Sequence, residues 1–431
     1  MKHYQGYKKL FNIAILIFLF AIPFGFILAQ TATEIQQQIA QKNNDIDRLE
    51  KEIQTYQNQL DAISKQKSSL NGSIQELDLT RKKLIADISI TNTKIERTNL
   101  KIASLSKDIK TKQGSSTNNT KAIESGIKRI NEFDEQSFIE GLLSTRDFAE
   151  VWNDVDNLAT IREKIISETR ELEQIKGELE DTRDETVDAK NELLSLKSKL
   201  ADQKKIVEQN TAEKKRLLTY TKNNEANYQK LLRDSVLQKD LIETELRDYE
   251  SKLVYILDPS KLPSGAVFSW PLDYTYITQL FGKTTDSKRL YASGSHSGVD
   301  FRAPVGTPVK AMASGIVMGV GDTDKQCFKA SFGKWVFIKY DNGLSIAFGH
   351  LSLVKAQVGD RVYKDTVVAY SGNTGYSTGP HLHLTVYAPN SAAVKSIPSK
   401  SCTGKVLTQP IAAVNAYLNP MDYLPVYKKP N

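Results

Sequence analysis

Hydrophobic residues recur every seven positions over a long stretch of the N-terminal half of the chain. Between Ile39 and Ile109, isoleucine and leucine fill most positions of one core column, and a second column of mainly leucine runs beside it. A sustained repeat of this kind is typical of a coiled coil. At about 1.5 Å of rise per residue, one uninterrupted helix over this stretch would extend roughly 110 Å.

A second, weaker heptad repeat runs from about Leu158 to Leu253, after a polar break at KQGSSTNNT (residues 112–120). Two arms of similar length joined by a short middle predict an antiparallel hairpin, with parallel dimerisation as the alternative. We therefore predict a coiled coil over residues 30–255, with arms at about 31–112 and 156–255 and a helical tip segment over about 120–155.

The tip segment is unusually apolar for this half of the chain. The stretch FDEQSFIEGLLSTRDFAEVWNDVDNL (residues 133–158) contains four of the nine aromatic residues of the helical region. These side chains either pack on one another and close the hairpin or form a docking surface, because an apolar patch of this kind is otherwise exposed. The residues concerned are Phe138, Leu142, Leu143, Phe148, Val151, Trp152 and Val155.

The pattern changes after a linker with Pro and Gly at residues 256–265, to short runs of β-forming residues separated by turn residues. Two such runs flank Asn342-Gly343, which predicts a tight β-hairpin, and TPVKAMASGIVMGVG predicts another about Ser314-Gly315. TVVAYSG and HLHLTVY add two strands. The predicted fold class is multidomain, with a long α-helical coiled-coil hairpin followed by an all-β antiparallel domain over residues 266–431.

The first 29 residues match a secretory signal. MKHYQGYKK supplies a positive region, an apolar stretch follows, and PFGFILAQ offers a cleavage site after Ala29. Ile27 stands where a small residue is preferred, and Leu10 to Ala29 approaches the roughly 20 residues of a membrane helix, so an uncleaved membrane anchor is the alternative. In both cases we predict export to the cell envelope.

Charge and cysteine content refine this prediction. From residue 256 onward, 18 Lys and Arg accompany 10 Asp and no Glu, so the domain is basic and suits a polyanionic surface such as a cell wall. Aromatic and basic residues do not interleave, and we predict no nucleic-acid partner. Cys327 and Cys402 lie in polar insertions of this exported domain, which favours a disulfide between them over two free thiols.

Four of the five histidines lie within the C-terminal domain. His381 and His383 alternate in a predicted strand, so their side chains project to the same side, about 7 Å apart. His296 precedes Asp300 by four residues, and His350 ends a predicted strand. Catalytic zinc takes three protein ligands, and two His and one Asp meet this count while leaving two histidines for acid/base work. Scattered packing histidines are the alternative.

The absence of Glu from this domain excludes a helical H-E-x-x-H protease there. Any general base must therefore be His or Asp. Histidine suits the task, because its unperturbed pKa of about 6.5 lies near neutral pH.

Three segments of the C-terminal domain carry a family resemblance. HSGVDFRAPVGTPVKAMASGIV, NGLSIAFGHLSLVKAQVGDRV and VAYSGNTGYSTGPHLHLTVY resemble the lysostaphin-type (LytM-like) zinc endopeptidases that cut peptides of bacterial peptidoglycan. The resemblance covers about residues 266–425 and implies a LytM-like domain with Zn²⁺ as cofactor and peptidoglycan as substrate. It further implies a role for each candidate residue: His296, Asp300 and His383 as zinc ligands, and His350 and His381 as catalytic histidines.

The coiled coil, together with the tip segment, resembles the EnvC/PcsB-like members of this group, whose helical hairpin docks on the FtsE–FtsX division complex. This implies a similar membrane complex as partner and a role for the coiled coil in regulation or recruitment. The alternative is an EnvC-like non-catalytic activator of a separate peptidoglycan amidase. Such activators lack one or more of the five site positions, whereas this chain retains all five, which favours an enzyme.

Two residues differ from the family pattern or have an open role. Phe348, two residues before His350, lacks the hydroxyl that an aromatic residue in this region can carry in the family. Tyr291 precedes the first predicted ligand and either assists an oxyanion or packs in the domain. The insertions DTDKQCFKA and SAAVKSIPSKSCTGK are expected to reshape the substrate groove.

Overall fold

The computed structural model describes residues 32–63, 69–134, 148–284, 294–399 and 402–427. The predicted signal sequence, Tyr291 and residues 135–147 of the tip segment lie outside these ranges. Within them, no helix is long and apolar enough to cross a membrane. The helices of the N-terminal half are α1 (Ala32–Ile63), α2 (Leu70–Asp134), α3 (Phe148–Thr221) and α4 (Glu225–Ser251).

The chain divides into two compact units, of which the first contains residues up to Asn44 and Glu96–Leu193. Within this unit α2 and α3 run antiparallel. Lys101 Nζ lies 2.9 Å from Glu185 Oε1, and further along α2 Lys112 Nζ lies 3.4 Å from Glu178 Oε2, which is earlier in α3. Exposed ion pairs of this kind contribute little stability, about 0–1 kcal/mol each.

The prediction that the first helical arm is interrupted at residues 112–120 is wrong, because α2 continues through these residues. Hydroxyl groups there bond to carbonyls of the preceding turn: Thr117 Oγ1 donates to Gln113 O at 2.9 Å, and Thr120 Oγ1 donates to Ser116 O at 2.8 Å. Polar side chains that bond one turn back remain compatible with a helix, so composition alone did not end it.

The second arm, predicted as continuous, is broken between α3 and α4. Lys222 and Asn223 adopt positive φ angles of 50° and 54°, a conformation that does not continue a helix. Asn224 then caps α4, since its side chain accepts hydrogen bonds from the backbone N–H groups of Ala226 and Asn227. α4 is therefore a separate helix of 27 residues with its own direction.

The second compact unit contains Asp45–Ile95 and Leu194–Asn431. Its β-domain is built on an antiparallel sheet with strand order β1-β2-β9-β6-β5-β4-β7, which confirms the predicted fold class. The strands are β1 (Ile277–Gln279), β2 (Val299–Arg302), β3 (Pro308–Lys310), β4 (Gly315–Asp322), β5 (Lys334–Tyr340), β6 (Ser345–Val354), β7 (Arg361–Val362), β8 (Val367–Ser371), β9 (His381–Tyr387), β10 (Ala392–Ser399), β11 (Lys405–Ala412) and β12 (Tyr417–Leu418). A short helix, α5 (Thr323–Gln326), lies between β4 and β5.

One predicted hairpin is present and the other is wrong. β5 and β6 pair about Asn342-Gly343, where Gly343 has a φ of +90°. β3 and β4 do not pair, because β3 pairs with β8 and β4 pairs with β5 and β7. Gly315 lies within β4 opposite Tyr340, and a Cβ at this position would lie 2.5 Å from Lys339 O. The absence of a side chain at Gly315 therefore allows β4 and β5 to pack closely, and Gly315 does not form a turn.

The core of the β-domain lies between the sheet and the segments folded over it. Phe301 on β2, Trp335 on β5 and Phe348 on β6 are fully buried in it. Burial of one such side chain contributes about 1.5–3 kcal/mol. Phe348 is a core residue, and a hydroxyl group on its ring would be buried away from water. Because β2, β6 and β9 are neighbours in this sheet, the core fixes the strands that carry the candidate histidines.

Helical segments of the second unit share a core with the β-domain. Leu84 of α2 and Ile206 of α3 form a buried cluster with Tyr370 of β8. The Tyr370 hydroxyl also donates to Asp202 Oδ2 at 3.0 Å. The parts of α2 and α3 within this unit are thus seated on the domain by apolar and polar contacts.

Candidate metal centre

The strand register brings the predicted ligands together. Asp300 on β2 stands opposite His383 on β9, and His296 lies just before β2, held by a bridge to Gly282. One ligand atom from each of His296, Asp300 and His383 lies within 4.8 Å of the other two. All three residues are buried, and His296 has no exposed surface. This is the cluster that the sequence resemblance implies as the metal site.

Hydrogen bonds fix the orientation of both imidazoles in the cluster. His296 Nδ1 lies 3.1 Å from Leu280 O, and since a carbonyl only accepts, Nδ1 carries the proton and donates it. The lone pair of His296 Nε2 then faces the cluster. His383 Nδ1 lies 2.8 Å from Asp300 Oδ1, and its other nitrogen, Nε2, lies 2.9 Å from Thr385 Oγ1. When Nε2–H donates to Thr385, the Nδ1 lone pair is available to a metal.

The electrostatics favour ligand-competent protonation states. Burial by itself would raise the pKa of Asp300, but the neighbouring His381, His296 and His383 outweigh it and hold the pKa well below its ordinary value. Burial lowers the pKa of His383, although Asp300 opposes this. The cluster therefore offers an ionised carboxylate and a neutral imidazole, which are the forms that bind metal ions.

His350 is placed beside the cluster by a β-bulge. Between the paired residues Lys334–Leu351 and Val336–Phe348, one residue of β5 faces two residues of β6. Bulges of this kind often lie next to active sites and redirect a side chain. His350 has a φ of +58°, a strained conformation for a non-glycine residue that costs on the order of 1–3 kcal/mol. The surrounding sheet holds this strain.

The hydrogen bonds and burial of His350 set its chemistry. Its backbone N–H donates to Phe332 O at 2.7 Å, and its Nδ1–H donates to Thr374 O at 2.8 Å. Burial lowers the pKa of His350 well below its ordinary value, and the nearby His381 and His383 lower it further. The imidazole is therefore neutral, with Nε2 as its proton acceptor.

His381 completes the arrangement from the start of β9. Its Nδ1 lies 2.7 Å from Gly379 O, which again places the proton on Nδ1, and its Nε2 lies 3.7 Å from Asp300 Oδ1. The ring centroids of His381 and His350 are 4.6 Å apart. The structure thus brings all five predicted residues together, three in the cluster and two with basic nitrogens beside it.

Sequence reasoning missed the residues that orient the histidines. Thr385 follows His383 by two positions in β9, so strand alternation places both on one face and could have indicated the contact. Thr374 and Leu280 act through backbone carbonyls, which carry no signal in side-chain type.

The cysteine pair lies apart from the cluster, and the structure joins Cys327 and Cys402 in a disulfide.

Helix α4 lines the open side of the site. A cavity of about 280 Å³ contains the three cluster residues, His350 and His381 on one wall. Six side chains of α4 line the same cavity: Lys239, Ile242, Glu243, Leu246, Arg247 and Glu250. A helix of the N-terminal half, rather than solvent alone, thus faces the candidate active site.

Both apolar and polar contacts hold α4 in place. Ile242 is 1% exposed and packs in an apolar cluster with Cys327 and Leu407. Gln238 Nε2 donates towards the sulfurs of the disulfide, at 3.1 Å from Cys327 Sγ. Near the end of the helix, the hydroxyl of Tyr417 donates to a Glu250 carboxylate oxygen.

The pKa of the Glu250 carboxyl group is raised at this contact. Burial raises its pKa to about 7, although the hydrogen bond from Tyr417 and the charge of Arg247 lower it. Its charge therefore changes near neutral pH. The contact between α4 and the domain contains a titratable group outside the histidine cluster.

Comparison with known proteins places this geometry in a family. Residues 294–396, which include all five site residues, match the model of peptidase family M23. The DD-carboxypeptidase/endopeptidase Mpg of Neisseria meningitidis serogroup B is 38% identical over 113 residues, covering 26% of this chain and 24% of that protein. The peptidoglycan DD-endopeptidase ShyC of Vibrio cholerae is 31% identical over 143 residues, covering 31% of each chain.

The family match lies within the C-terminal domain. The chain spans less than half the length of these curated relatives. Among solved structures, the catalytic domain of the antimicrobial peptidase lysostaphin from Staphylococcus simulans is 25% identical and covers 34% of this chain and 90% of that one, with a TM-score of 0.25. The chain therefore carries a peptidase family M23 domain with lysostaphin-like relatives, as the sequence motifs predicted.

Proposed function

We propose that this protein is an exported zinc-dependent endopeptidase that hydrolyses peptide bonds of bacterial peptidoglycan. The observation that carries the proposal is the convergence of His296, Asp300 and His383 beside two further histidines, His350 and His381. The names of relatives that match the domain, which include a peptidoglycan DD-endopeptidase, support the substrate class.

The residues of the cluster fit zinc. Two imidazoles and one carboxylate are a ligand set of catalytic zinc sites, which keep one further position open. The lone pairs of His296 Nε2 and His383 Nδ1 face Asp300, because Leu280 O and Thr385 occupy the other ring nitrogens. Zinc supplies Lewis-acid chemistry, since it polarises a carbonyl oxygen and makes a water molecule more acidic.

The other two histidines supply proton transfer. His350 and His381 hold their protons on Nδ1 through backbone carbonyls, which leaves each Nε2 free to accept a proton. Hydrolysis of a peptide bond requires removal of a proton from the attacking water and delivery of one to the leaving amine. Two adjacent imidazoles can serve both steps, and a protonated imidazole can donate to an oxyanion.

The retention of a complete site distinguishes this proposal from a non-catalytic activator. An activator of a separate amidase needs only a binding surface. It gains nothing from five polar side chains held together in a buried site. Desolvation of such groups is costly unless they are paired or bind a metal. We therefore favour an enzyme.

We further propose that α4 restrains the enzyme by lying over its site, with the coiled coil serving regulation or recruitment. The contacts of Ile242 and Glu250 with the domain support this idea. The sequence-based prediction that the tip segment docks on an FtsE–FtsX-like membrane complex belongs to the same proposal. Release of α4 by such a partner would link cell-wall cleavage to the division machinery.

The proposal is tested with the full-length chain and purified peptidoglycan. Newly released amines are counted with added zinc, with a chelator, and for His383→Ala. Because α4 lies over the site, each measurement is repeated with Ile242→Asp, which places a charge in the apolar seat of the helix. Zinc-dependent release that disappears in His383→Ala is expected. Release that persists after chelation, or its absence even in Ile242→Asp, would contradict the enzyme assignment.

A further inference from the structure

A lysine of α4 is buried in the candidate substrate groove. Lys239 is 3% exposed and lines the same cavity as the histidine cluster. Its Nζ lies 4.6 Å from the centre of the Tyr376 ring, within the range of a cation–π contact. Within α4 it also lies 3.4 Å from Glu243 Oε1 and 3.8 Å from Asp240 Oδ1. Lysine is rarely buried to this degree unless its charge is matched.

Tyr376 belongs to the β-domain and is held firmly at the groove. Its backbone N–H donates to Ser331 O at 3.0 Å. The preceding Gly375 has a φ of +68°, and a Cβ there would lie 2.2 Å from Gly333 N. The Gly375 N–H also donates to Asp324 Oδ2 at 2.8 Å. These contacts join two loops, so the backbone that carries the ring is held by residues of the β-domain rather than by α4.

The acidic partners of Lys239 move with α4, whereas the aromatic partner does not. Asp240 and Glu243 lie on the same helix as the lysine. Among the described residues of the β-domain that line the cavity, Asp300 is the only carboxylate, and it is committed to the histidine cluster. Once α4 leaves, the domain offers a cation the face of Tyr376 beside the reactive site.

We propose that Tyr376 forms a subsite for a protonated amine on the peptide substrate, and that Lys239 occupies this subsite in place of the substrate while α4 is docked. The inference rests on the proposed function, because it names a feature of the substrate for the same groove. It makes α4 a chemical mimic of the substrate as well as a steric cover. A contact of this kind is expected to change affinity about 5- to 30-fold.

The first test measures the contact itself. The host is the full-length chain with Lys239→Met and Ile242→Asp, so that its own α4 is released and carries no cation to the subsite. Labelled peptides of residues 225–251, with the natural sequence or with Lys239→Met, are titrated onto the host after metal removal by chelator. The Lys239→Met peptide is expected to bind about 5- to 30-fold more weakly.

Two further hosts complete a double-mutant cycle. Tyr376→Phe keeps the aromatic face and is expected to preserve the difference between the peptides. Tyr376→Leu removes the face and is expected to abolish it. Circular dichroism and melting curves of all hosts check that they are folded. Equal binding of both peptides to the host with native Tyr376 would overturn the inference.

The second test asks whether the substrate uses the subsite. Soluble muropeptides with a free side-chain amine are compared with the same muropeptides after amine acetylation, as competitors of the labelled natural peptide. The free-amine form is expected to displace the peptide at about 5- to 30-fold lower concentration, and Tyr376→Leu is expected to remove this advantage. Equal displacement by both forms on the native Tyr376 host would overturn the inference.

This binding readout separates the two proposals. Amine-dependent displacement without zinc-dependent hydrolysis in a metal-loaded sample would reject the endopeptidase assignment and keep the subsite. Hydrolysis together with amine-independent displacement would reject the subsite and keep the endopeptidase.

Discussion

The histidine cluster and the helix that faces it are held in different ways. Every ligand of the cluster is buried, and the second nitrogen of each cluster imidazole has its own partner within the β-domain, Leu280 O or Thr385. α4 meets the domain through one fully buried apolar side chain, Ile242, while its neighbour Leu241 is 59% exposed.

The histidine cluster and α4, which lines the same cavity, are therefore expected to differ in how easily each is disrupted. Asp300 and His383 stand opposite each other on paired strands, and His296 is bridged to Gly282 just before β2, so contacts within the sheet hold the cluster together. A helix held by a few contacts can open locally at much lower free energy than global unfolding. We therefore expect the site to stay assembled when α4 moves away from it. The following predictions test each side of this comparison.

Removal of a cluster ligand should have the largest effect. His383→Ala leaves two ligands, and we expect peptidoglycan hydrolysis to fall roughly a thousandfold or more, because metal chemistry supplies much of the rate. Zinc content, measured by mass spectrometry of the purified protein, should fall with it. A variant that keeps both its zinc and its activity would show that His383 is not a ligand.

Loss of the second partner of His383 should weaken the cluster without removing a ligand. Thr385→Val has nearly the same shape but leaves His383 Nε2–H without its acceptor, and we expect zinc affinity to fall roughly 10- to 100-fold. Competition with a chromogenic chelator measures this. Thr385→Ser keeps the hydroxyl and should retain most of the affinity. Equal affinity in both variants would mean that the hydroxyl does not orient the ring.

Release of the cover should increase activity rather than decrease it. Ile242→Asp places a carboxylate in an apolar seat at a cost of several kcal/mol, which should undock α4 and raise amine release about tenfold or more. Leu241→Asp makes the same change one residue away on an exposed side chain and should stay within about twofold of the unmodified chain. If both variants behave alike, α4 does not restrain the enzyme.

The smallest effect should come from pH. The pKa of Glu250 is raised to about 7 in the docked state, above its ordinary value of roughly 4.3. Between these values the docked helix retains a proton that the undocked helix releases, so docking is strongest at low pH and weakens as pH rises through 7.

Glu250→Gln imitates the protonated form and removes this dependence. The activity of the unmodified chain relative to Glu250→Gln is therefore expected to rise a few-fold between pH 5 and pH 8, while the pH profile of the site itself cancels in the ratio. A ratio that stays flat or falls over this range would exclude Glu250 as a control on docking.

Much of the β-domain and its chemistry could be read from local sequence. Alternation in HLHLTVY placed His381 and His383 on one face, and Asn342-Gly343 marked a hairpin that the structure contains. The residue types also limited the metal ligands to His and Asp. These features depend on a few neighbouring residues, and strand or turn preferences act over the same short range.

Predictions that needed long-range information failed. The pairing of β3 with β8 rather than β4 joins residues about 60 positions apart, and the turn signal at Ser314-Gly315 pointed to a nearer partner. The division of the second arm at residues 222–224 was also missed, because the prediction treated the weak heptad repeat as one arm from about Leu158 to Leu253. Tertiary packing overrides local preference at such points.

The sequence by itself determined that this chain has a helical region and an antiparallel β-domain, and which side chains could bind a metal. The tertiary structure decided that Lys239, Ile242 and Glu250 of a polar helix line the same cavity as those side chains, and that Tyr376 lines it too. The physical reason is range: periodicity and ligand type depend on neighbouring residues, whereas strand register and helix docking depend on packing between residues from about 60 to more than a hundred positions apart.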